Sequence, residues 1–571
     1  MLKKIYISLP YIIGVVGVII GITGLNLSLK DYQEAKLLFQ AIGDGKALSF
    51  SEELFNTMKP KLVVISMAGI LISIAFVLLK SIILAELNNI KDDILILTHK
   101  TYTFLNHLFK NNNRLHGLAL LVVIVVGVLV RISHINHPIR YDEAFTLYSY
   151  VNSPTLFTIS NYSFPNNHIF HSLLVQLSTF VFGESLFAIR LPALLAGILL
   201  LPLSYSFAKE IFNKHIALVS TALLACCYPL IDYSVNARGY TLTCLFTLLL
   251  LLLILKQNNQ KAHYSWVIIV ASLGLYTIPI FAYPFGIVLF LSILKNKKII
   301  LKPVLIYSIG TVALTTLLYT PVLLYKGLNA LIANEFIVKH TYQELPLLLG
   351  NNLFKTFTWF TNNGHWSVVG IALLALIIGA FMGNKRSTSV LLSILLSLTI
   401  ILFIQRVNPP IRVWLFLLPL LLPFIVQGVF FYVRNNKVIT TVISLFIVLS
   451  GAIYLHIHKF NLSPSKEIFV YEELAKTLKK VTTKNDKLVA QLPIDYPLSY
   501  YLEKHHVAVK LPHVYNGGYS DTSTNHRHIY IIADERYKQN NFMEALISSK
   551  NTNIDKQYEH IVLYKHNPRK H

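Results

Sequence analysis

The chain has 571 residues, 54% of them hydrophobic and 13% charged, with a mean hydropathy of +0.56. Soluble globular proteins carry about 25% charged residues, so that class is excluded, and apolar runs that do not alternate exclude a β-barrel. The formal charge is +23, from 50 Lys and Arg against 27 Asp and Glu, yet it does not point to nucleic acid. The basic residues cluster between apolar runs (Lys209 to Lys214, Lys256 to Lys261, Lys295 to Lys298, Lys385-Arg386, Arg434 to Lys437), as the positive-inside rule predicts for cytoplasmic loops.

Many apolar runs reach roughly the 20 residues that cross a bilayer. The chain therefore reads as an all-α polytopic membrane protein with about 11–13 transmembrane helices. A first region, residues 1–114, holds two spans, Ile5 to Leu27 and Leu62 to Leu84. Lys3 and Lys4 precede the first, with no small-residue cleavage site after it, so it reads as an uncleaved anchor. Glu86 to Asn111 repeats Leu87, Ile90, Ile94, Leu95 and Leu97 at helical spacing and reads as an amphipathic helix on the cytoplasmic surface.

Residues 115–459 form the main membrane region. The Leu118 to Val130 span leads outward into a long loop carrying Arg140-Tyr141-Asp142-Glu143-Ala144-Phe145. His168 to Phe182 is apolar but short enough to be a juxtamembrane helix. Spans then alternate through Phe187–Phe207, Ile216–Ile231, Thr241–Leu255, a hairpin at 266–294 and Leu305–Leu324. A second long loop, Lys326 to His365, precedes four more spans ending near His456. The three cysteines, Cys226, Cys227 and Cys244, lie in apolar segments, without disulfide or metal spacing. After Lys459 the sequence turns polar, and residues 460–571 read as a small extracytoplasmic α/β domain. Its strand-like pieces are 488–492, 529–532 and 561–564, with helix-like stretches at 468–480 and 536–548.

A chain this poor in acid keeps ionisable groups near the membrane mainly where they work. In this topology the outer face collects Asp142 and Glu143, Asp232 to Tyr240 with Asn236 and Arg238, His168, Arg190, Arg406 and Arg412. Arginine suits a phosphate, being planar, permanently charged and bidentate. A carboxylate suits deprotonation of a hydroxyl, or binding of a divalent cation. Plainer roles compete: pairing of the two acids with Arg140 or Arg131, and snorkelling of Arg190 at a helix end.

Arg140-Tyr-Asp142-Glu143-Ala-Phe resembles the first-loop Asp-Glu motif of the GT-C-fold glycosyltransferases, in the branch of protein O-mannosyltransferases and lipid A aminoarabinose transferases. The resemblance continues through Asn167-His168, Phe182 to Gly197 with Arg190, and Tyr233 to Tyr240, which is similar to a family segment ending Ala-Arg-x-Tyr. It is fainter at Arg412 to Pro419. It implies transfer of a sugar from a polyprenyl-phosphate donor to a glycan, lipid or protein acceptor at the outer membrane face, with inversion. Asp142 takes the role of base or metal organiser, supported by Glu143. Arg238, with Arg190, Arg412, His168 and Tyr240, would hold the carrier phosphate.

Two departures stand out. Asn236 replaces a frequent family glutamate, leaving Asp232 as the substitute acidic ligand, and only His168 remains of a His-Pro-Pro motif. A divalent ion (Mg2+, Mn2+ or Zn2+) at Asp142 and Asp232 is therefore an open option. A transporter or flippase of lipid-linked saccharides is the rival reading, though transporters show repeats and broken helices at the midplane. Lys, Ile and Asn richness suggests a low-GC bacterium and an inner-membrane location.

Overall fold

The computed structural model describes residues 2–42, 51–78, 114–257, 264–295, 301–332, 338–362, 364–432, 435–458, 470–511, 526–537 and 541–568, and a few positions between 80 and 88. The amphipathic segment expected at Glu86 to Asn111 lies almost wholly outside the described residues. Among the described residues eight helices are long and apolar enough to cross a membrane, and a bent pair adds a ninth. Five shorter apolar helices, including Ile169–Phe182 and Tyr240–Lys256, account for the other apolar runs. The protein is a multi-pass helical bundle with a small sheet domain at one end.

The first two described spans, Leu2–Leu29 and Glu52–Leu78, form a hairpin. Gly14, Gly17, Gly21 and Gly24 share one face of the first helix, and a Cβ on any of them would run into Ser66, Ile70, Ser73 or Val77 of the second. Lipid offers no hydrophobic drive between helices, so such close backbone approach is what associates them. The main core lies deeper in the bundle, where Leu200, Phe207, Leu248, Leu251, Phe281, Phe416 and Phe424 are buried together.

Two breaks in the bundle shape the site. The helix from Arg114 to Ser133 ends before a turn through His137-Pro138, and the six-residue acid-loop helix Tyr141–Thr146 follows. The apolar run at 216–231, expected as one span, is instead Lys214–Ala225 and Tyr228–Ser234, bent by 63°. Pro229 in the first turn of the second piece loses no intrahelical bond there, so the chain restarts a helix in a new direction. The turn that follows carries Asn236, Ala237 and Arg238 before the helix Tyr240–Lys256.

The C-terminal domain is a four-stranded sheet of order β1-β2-β4-β3, with β1 Lys487–Ala490, β2 Ile529–Asp534, β3 Thr552–Tyr558 and β4 Ile561–His566. β1 pairs parallel with β2; β4 pairs antiparallel with β2 and β3. Strand β3 is an addition to the expected three, because five of its seven residues are exposed and it has no alternating apolar face. The helix Asp495–Lys504 is a second addition: Pro493 and Pro497 resemble breakers, yet Pro497 lies in the first turn, where proline is tolerated. This helix packs on the acid-loop helix. Ile139, Ala144, Phe145 and Leu147 share one buried cluster with Tyr496, Leu498 and Tyr501.

Candidate active site

The two neighbouring acids have opposite surroundings. Glu143 is fully buried. Its Oε1 accepts from Arg190 Nε at 2.9 Å and from the Ala237 N–H at 2.7 Å. Its Oε2 accepts from Arg190 Nη2 at 2.7 Å and from the Arg140 N–H at 3.1 Å. Burial would raise its pKa, but the charge and hydrogen bonds of Arg190 and the two amides outweigh it and hold the carboxyl below the usual range. Arg190 also donates to the backbone oxygens of Ile135, His137 and Pro138. All five of its N–H groups are thus used within the protein. The expectation that Arg190 holds a phosphate is corrected: it ties the acid loop to the long helix Leu186–Ile211.

Asp142 faces a cleft of about 440 Å³ whose walls include Tyr141, Phe164, Asn166, Arg238, Tyr240 and Arg412. Its Oδ1 accepts from Asn166 at 3.2 Å. Burial pushes its pKa up, but the charges of Arg238, Arg412 and Arg140 with the Asn166 hydrogen bond bring it below the ordinary value. That balance favours the charged carboxylate, and Asp142, unlike Glu143, keeps oxygen lone pairs that face the cleft.

Arg238 is buried at the cleft wall. Its Nη1 donates to Thr146 Oγ1 at 3.0 Å and to the Asn166 carbonyl at 2.8 Å. Its Nε finds no partner among the described residues. His168, expected in the site, lies behind Arg238 rather than on the cleft wall. Its Nδ1 accepts the Gly239 N–H at 2.8 Å, and its Nε2 stands 3.2 Å from Arg238 Nη2. Gly239 is required here by close approach: a Cβ would stand 2.4 Å from Thr277 Cγ2 and 3.1 Å from His168 Nδ1. Arg412 donates through Nε to Tyr240 Oη at 3.1 Å, which leaves its two terminal nitrogens for the cleft. It enters on the 3₁₀ turn Ile411–Phe416, directly after Pro409-Pro410.

Asp232 is engaged elsewhere. Arg140 Nη1 donates to its Oδ2 at 2.8 Å and Nη2 donates to Oδ1, a bidentate pair. A divalent cation at Asp142 and Asp232 does not fit this arrangement, since Asp232 is held by the Arg140 guanidinium in a bidentate ion pair that faces both its oxygens. Among the described residues no three His, Cys, Asp or Glu side chains gather as ligands, and Asp142 itself stands in a field of arginines.

Sequence reading missed several contributors. Asn166 and Thr146 orient Asp142 and Arg238, though only Asn167-His168 carried a signal. Tyr496 of the C-terminal domain packs edge-on against Tyr141 and Phe145, with centroids 5.7 and 4.9 Å apart. Tyr501 Oη accepts the Ile139 N–H at 3.2 Å, and Tyr148 donates to Glu503 at 2.7 Å. A domain more than 300 residues away in sequence thus supports the acid loop, a contact with no local signature.

Residues 166–325 match the family model of dolichyl-phosphate-mannose-protein mannosyltransferases. No curated protein sequence matches the chain. Among solved structures, ArnT of Cupriavidus metallidurans in the apo state superposes with a TM-score of 0.51 at 12% identity, covering 78% of this chain and 97% of ArnT. The same protein bound to undecaprenyl phosphate gives a TM-score of 0.48 at 12% identity, over the same shares of the two chains. The oligosaccharyltransferase of Archaeoglobus fulgidus, with Zn and sulfate, gives 0.45 at 13% identity, covering 76% of this chain and 70% of that one.

Proposed function

For a multi-pass protein of the GT-C glycosyltransferase fold, we propose that this cleft transfers a sugar from a polyprenyl-phosphate donor to an acceptor hydroxyl at the outer membrane face. The observation that carries the reading is the single ionised, incompletely bonded carboxylate, Asp142, facing Arg238 and Arg412 across one cleft. The family description over residues 166–325 supports the donor class.

In the proposed reaction Arg412, whose terminal nitrogens have no partner among the described residues, and Arg238, whose guanidinium borders the same cleft, hold the phosphate that links sugar to lipid. The acceptor hydroxyl donates its hydrogen bond to Asp142 and attacks the anomeric carbon from the face opposite the phosphate. The new C–O bond forms as the sugar–phosphate C–O bond breaks, with inversion. The leaving electron pair stays on the phosphate, where the two guanidinium groups stabilise the growing charge. The hydroxyl proton passes to Asp142 and from there to solvent. The acceptor is a glycan, lipid or protein hydroxyl, and the C-terminal domain lies on the same side as the cleft, facing out of a bacterial inner membrane.

The test is turnover of synthetic polyprenyl-phosphate sugars by purified protein, wild type beside Asp142→Asn. Consumption of donor by wild type alone is the expected result. Equal consumption by both would remove Asp142 from the base role. If neither consumes donor while wild type moves lipid-linked sugar across liposomes, the protein is a transporter.

A further inference from the structure

A second cavity, of about 690 Å³, lies between the N-terminal hairpin and the bundle, walled by Lys61, Val64 and Ile65 on one side and Leu323, Lys326 and Leu328 on the other. Each lysine stands where its apolar run meets the aqueous boundary: Lys61 just before Leu62, and Lys326 one residue after the helix Leu301–Tyr325. The turn that follows carries Gly327 at a φ of +79°, and the Lys326 and Gly327 amides both reach the Val322 carbonyl. The turn has a consequence for charge. A Cβ built on Gly327 comes within 3.8 Å of Lys61 Nζ, so Lys61 reaches the turn that carries Lys326, whose own Nζ lies over the Tyr325 ring, 4.8 Å from its centroid. Neither has a carboxylate partner among the described residues. Snorkelling explains one lysine at such a level; it does not explain two from separate helices closing on a shared apolar cavity.

The short helix Asn329–Ile332 is a common wall. Asn329 borders this cavity, while Ala330 and Leu331 border the catalytic cleft. We propose that this lateral cavity is an exit site for the spent carrier, a polyprenyl monophosphate, leaving the cleft for the membrane. The proposal rests on the transfer reaction above. A phosphate monoester near neutral pH carries close to two negative charges, which two ammonium groups match; a donor or phospholipid diester carries one. Val64, Ile65 and Leu323 supply the apolar side for the first units of the lipid tail.

Binding of undecaprenyl phosphate to the full chain in detergent, counted by native mass spectrometry, tests this. Wild type should retain two copies, Lys61→Gln/Lys326→Gln one, and Arg238→Gln/Arg412→Gln also one. Val64→Trp, which fills the cavity without altering charge, should lose the same copy as the lysine pair, and all variants should elute as wild type does in size exclusion. The lysine pair should weaken that site at least about tenfold, since each charge near a membrane surface contributes appreciably to anionic lipid binding. Two copies retained by both the lysine pair and Val64→Trp would overturn the exit site, as would a single wild-type copy that depends only on Arg238 and Arg412. Equal displacement by phosphatidylglycerol would make it a phospholipid site. Copies that ignore the arginine variant but depend on Lys61 and Lys326 would instead remove the cleft from carrier binding and leave the lateral site standing.

Discussion

Asp142 and Glu143 are adjacent in sequence and belong to different parts of the machine. Glu143 sits in a closed region, fully buried, with four hydrogen bonds and a guanidinium whose every donor is committed. Asp142 sits in an open region, with one side-chain hydrogen bond and arginines that attract it across a cleft without saturating it. The difference follows from helix geometry: consecutive residues on the six-residue helix point about 100° apart, so one acid turns into the protein and the other into the cleft. Ion-paired acids build the frame, and the carboxylate beside them keeps open oxygens toward the cleft.

The comparison can be broken most directly at Asp142. Asp142→Asn should lower kcat by roughly 10²–10⁴-fold, the range of a positioned general base, while the melting temperature stays at the wild-type value. If activity and melting fall together, Asp142 belongs to the frame after all. Arg190→Met should do the reverse, leaving Glu143 charged and buried without its partner. Removing one member of a buried pair costs about 3–5 kcal/mol, to be read as a loss of thermal stability and of folded yield. A well-folded Arg190→Met protein defective only in carrier binding would restore the phosphate role to Arg190.

The pH dependence sharpens the contrast in the C-terminal domain. Asp495 is buried with no side-chain partner among the described residues, and burial raises its pKa to about 7 against the opposing pull of the Tyr496 and Asp495 amides. A raised acid pKa means that the folded state holds the proton longer. Stability is therefore lost as pH rises from the unfolded value toward about 7, and stays low above it. Asp495→Asn should abolish that slope and stabilise the domain at pH 8 by roughly 4 kcal/mol, measured by thermal unfolding at several pH values. Asp142 is depressed instead, so loss of its charge should limit turnover only below the ordinary carboxylate range. An acidic limb in the rate profile near pH 6 would come from another group, and the second ionisation of a phosphate monoester lies there.

The smallest effect is expected at the seam between the domains. Tyr496→Ala removes the ring that packs on Tyr141 and Phe145 without touching the cleft's charges. Aromatic pairs contribute about 0.5–1.5 kcal/mol beyond their burial, so a modest drop in kcat of up to about tenfold is expected from a looser acid loop. Rescue by Tyr496→Phe would assign the effect to packing, since the ring and not its hydroxyl makes these contacts.

Much of the molecule was legible in the residues alone. Continuous apolar runs with basic clusters between them specify a helical membrane bundle, because hydrocarbon accepts no unsatisfied backbone. The loss of apolarity after Lys459 marks a separate domain for the same reason. The Asp-Glu pair, Arg238 and Arg412 stood out because ionisable residues at that depth need a cause. Composition and spacing could not say which acid points where. Nor could they reveal that Arg190 is spent on Glu143, that Asp232 is spent on Arg140, that His168 stands behind Arg238, or that Tyr496 reaches the acid loop from the far end of the chain. Those outcomes depend on which side chains meet after the helices pack, and pairing between oppositely charged groups is decided by distance in space. The sequence determined the bundle, the C-terminal α/β domain and the ionisable residues that gather around the cleft. The tertiary structure alone divided those residues into the ones that hold the site together and the ones left free to act.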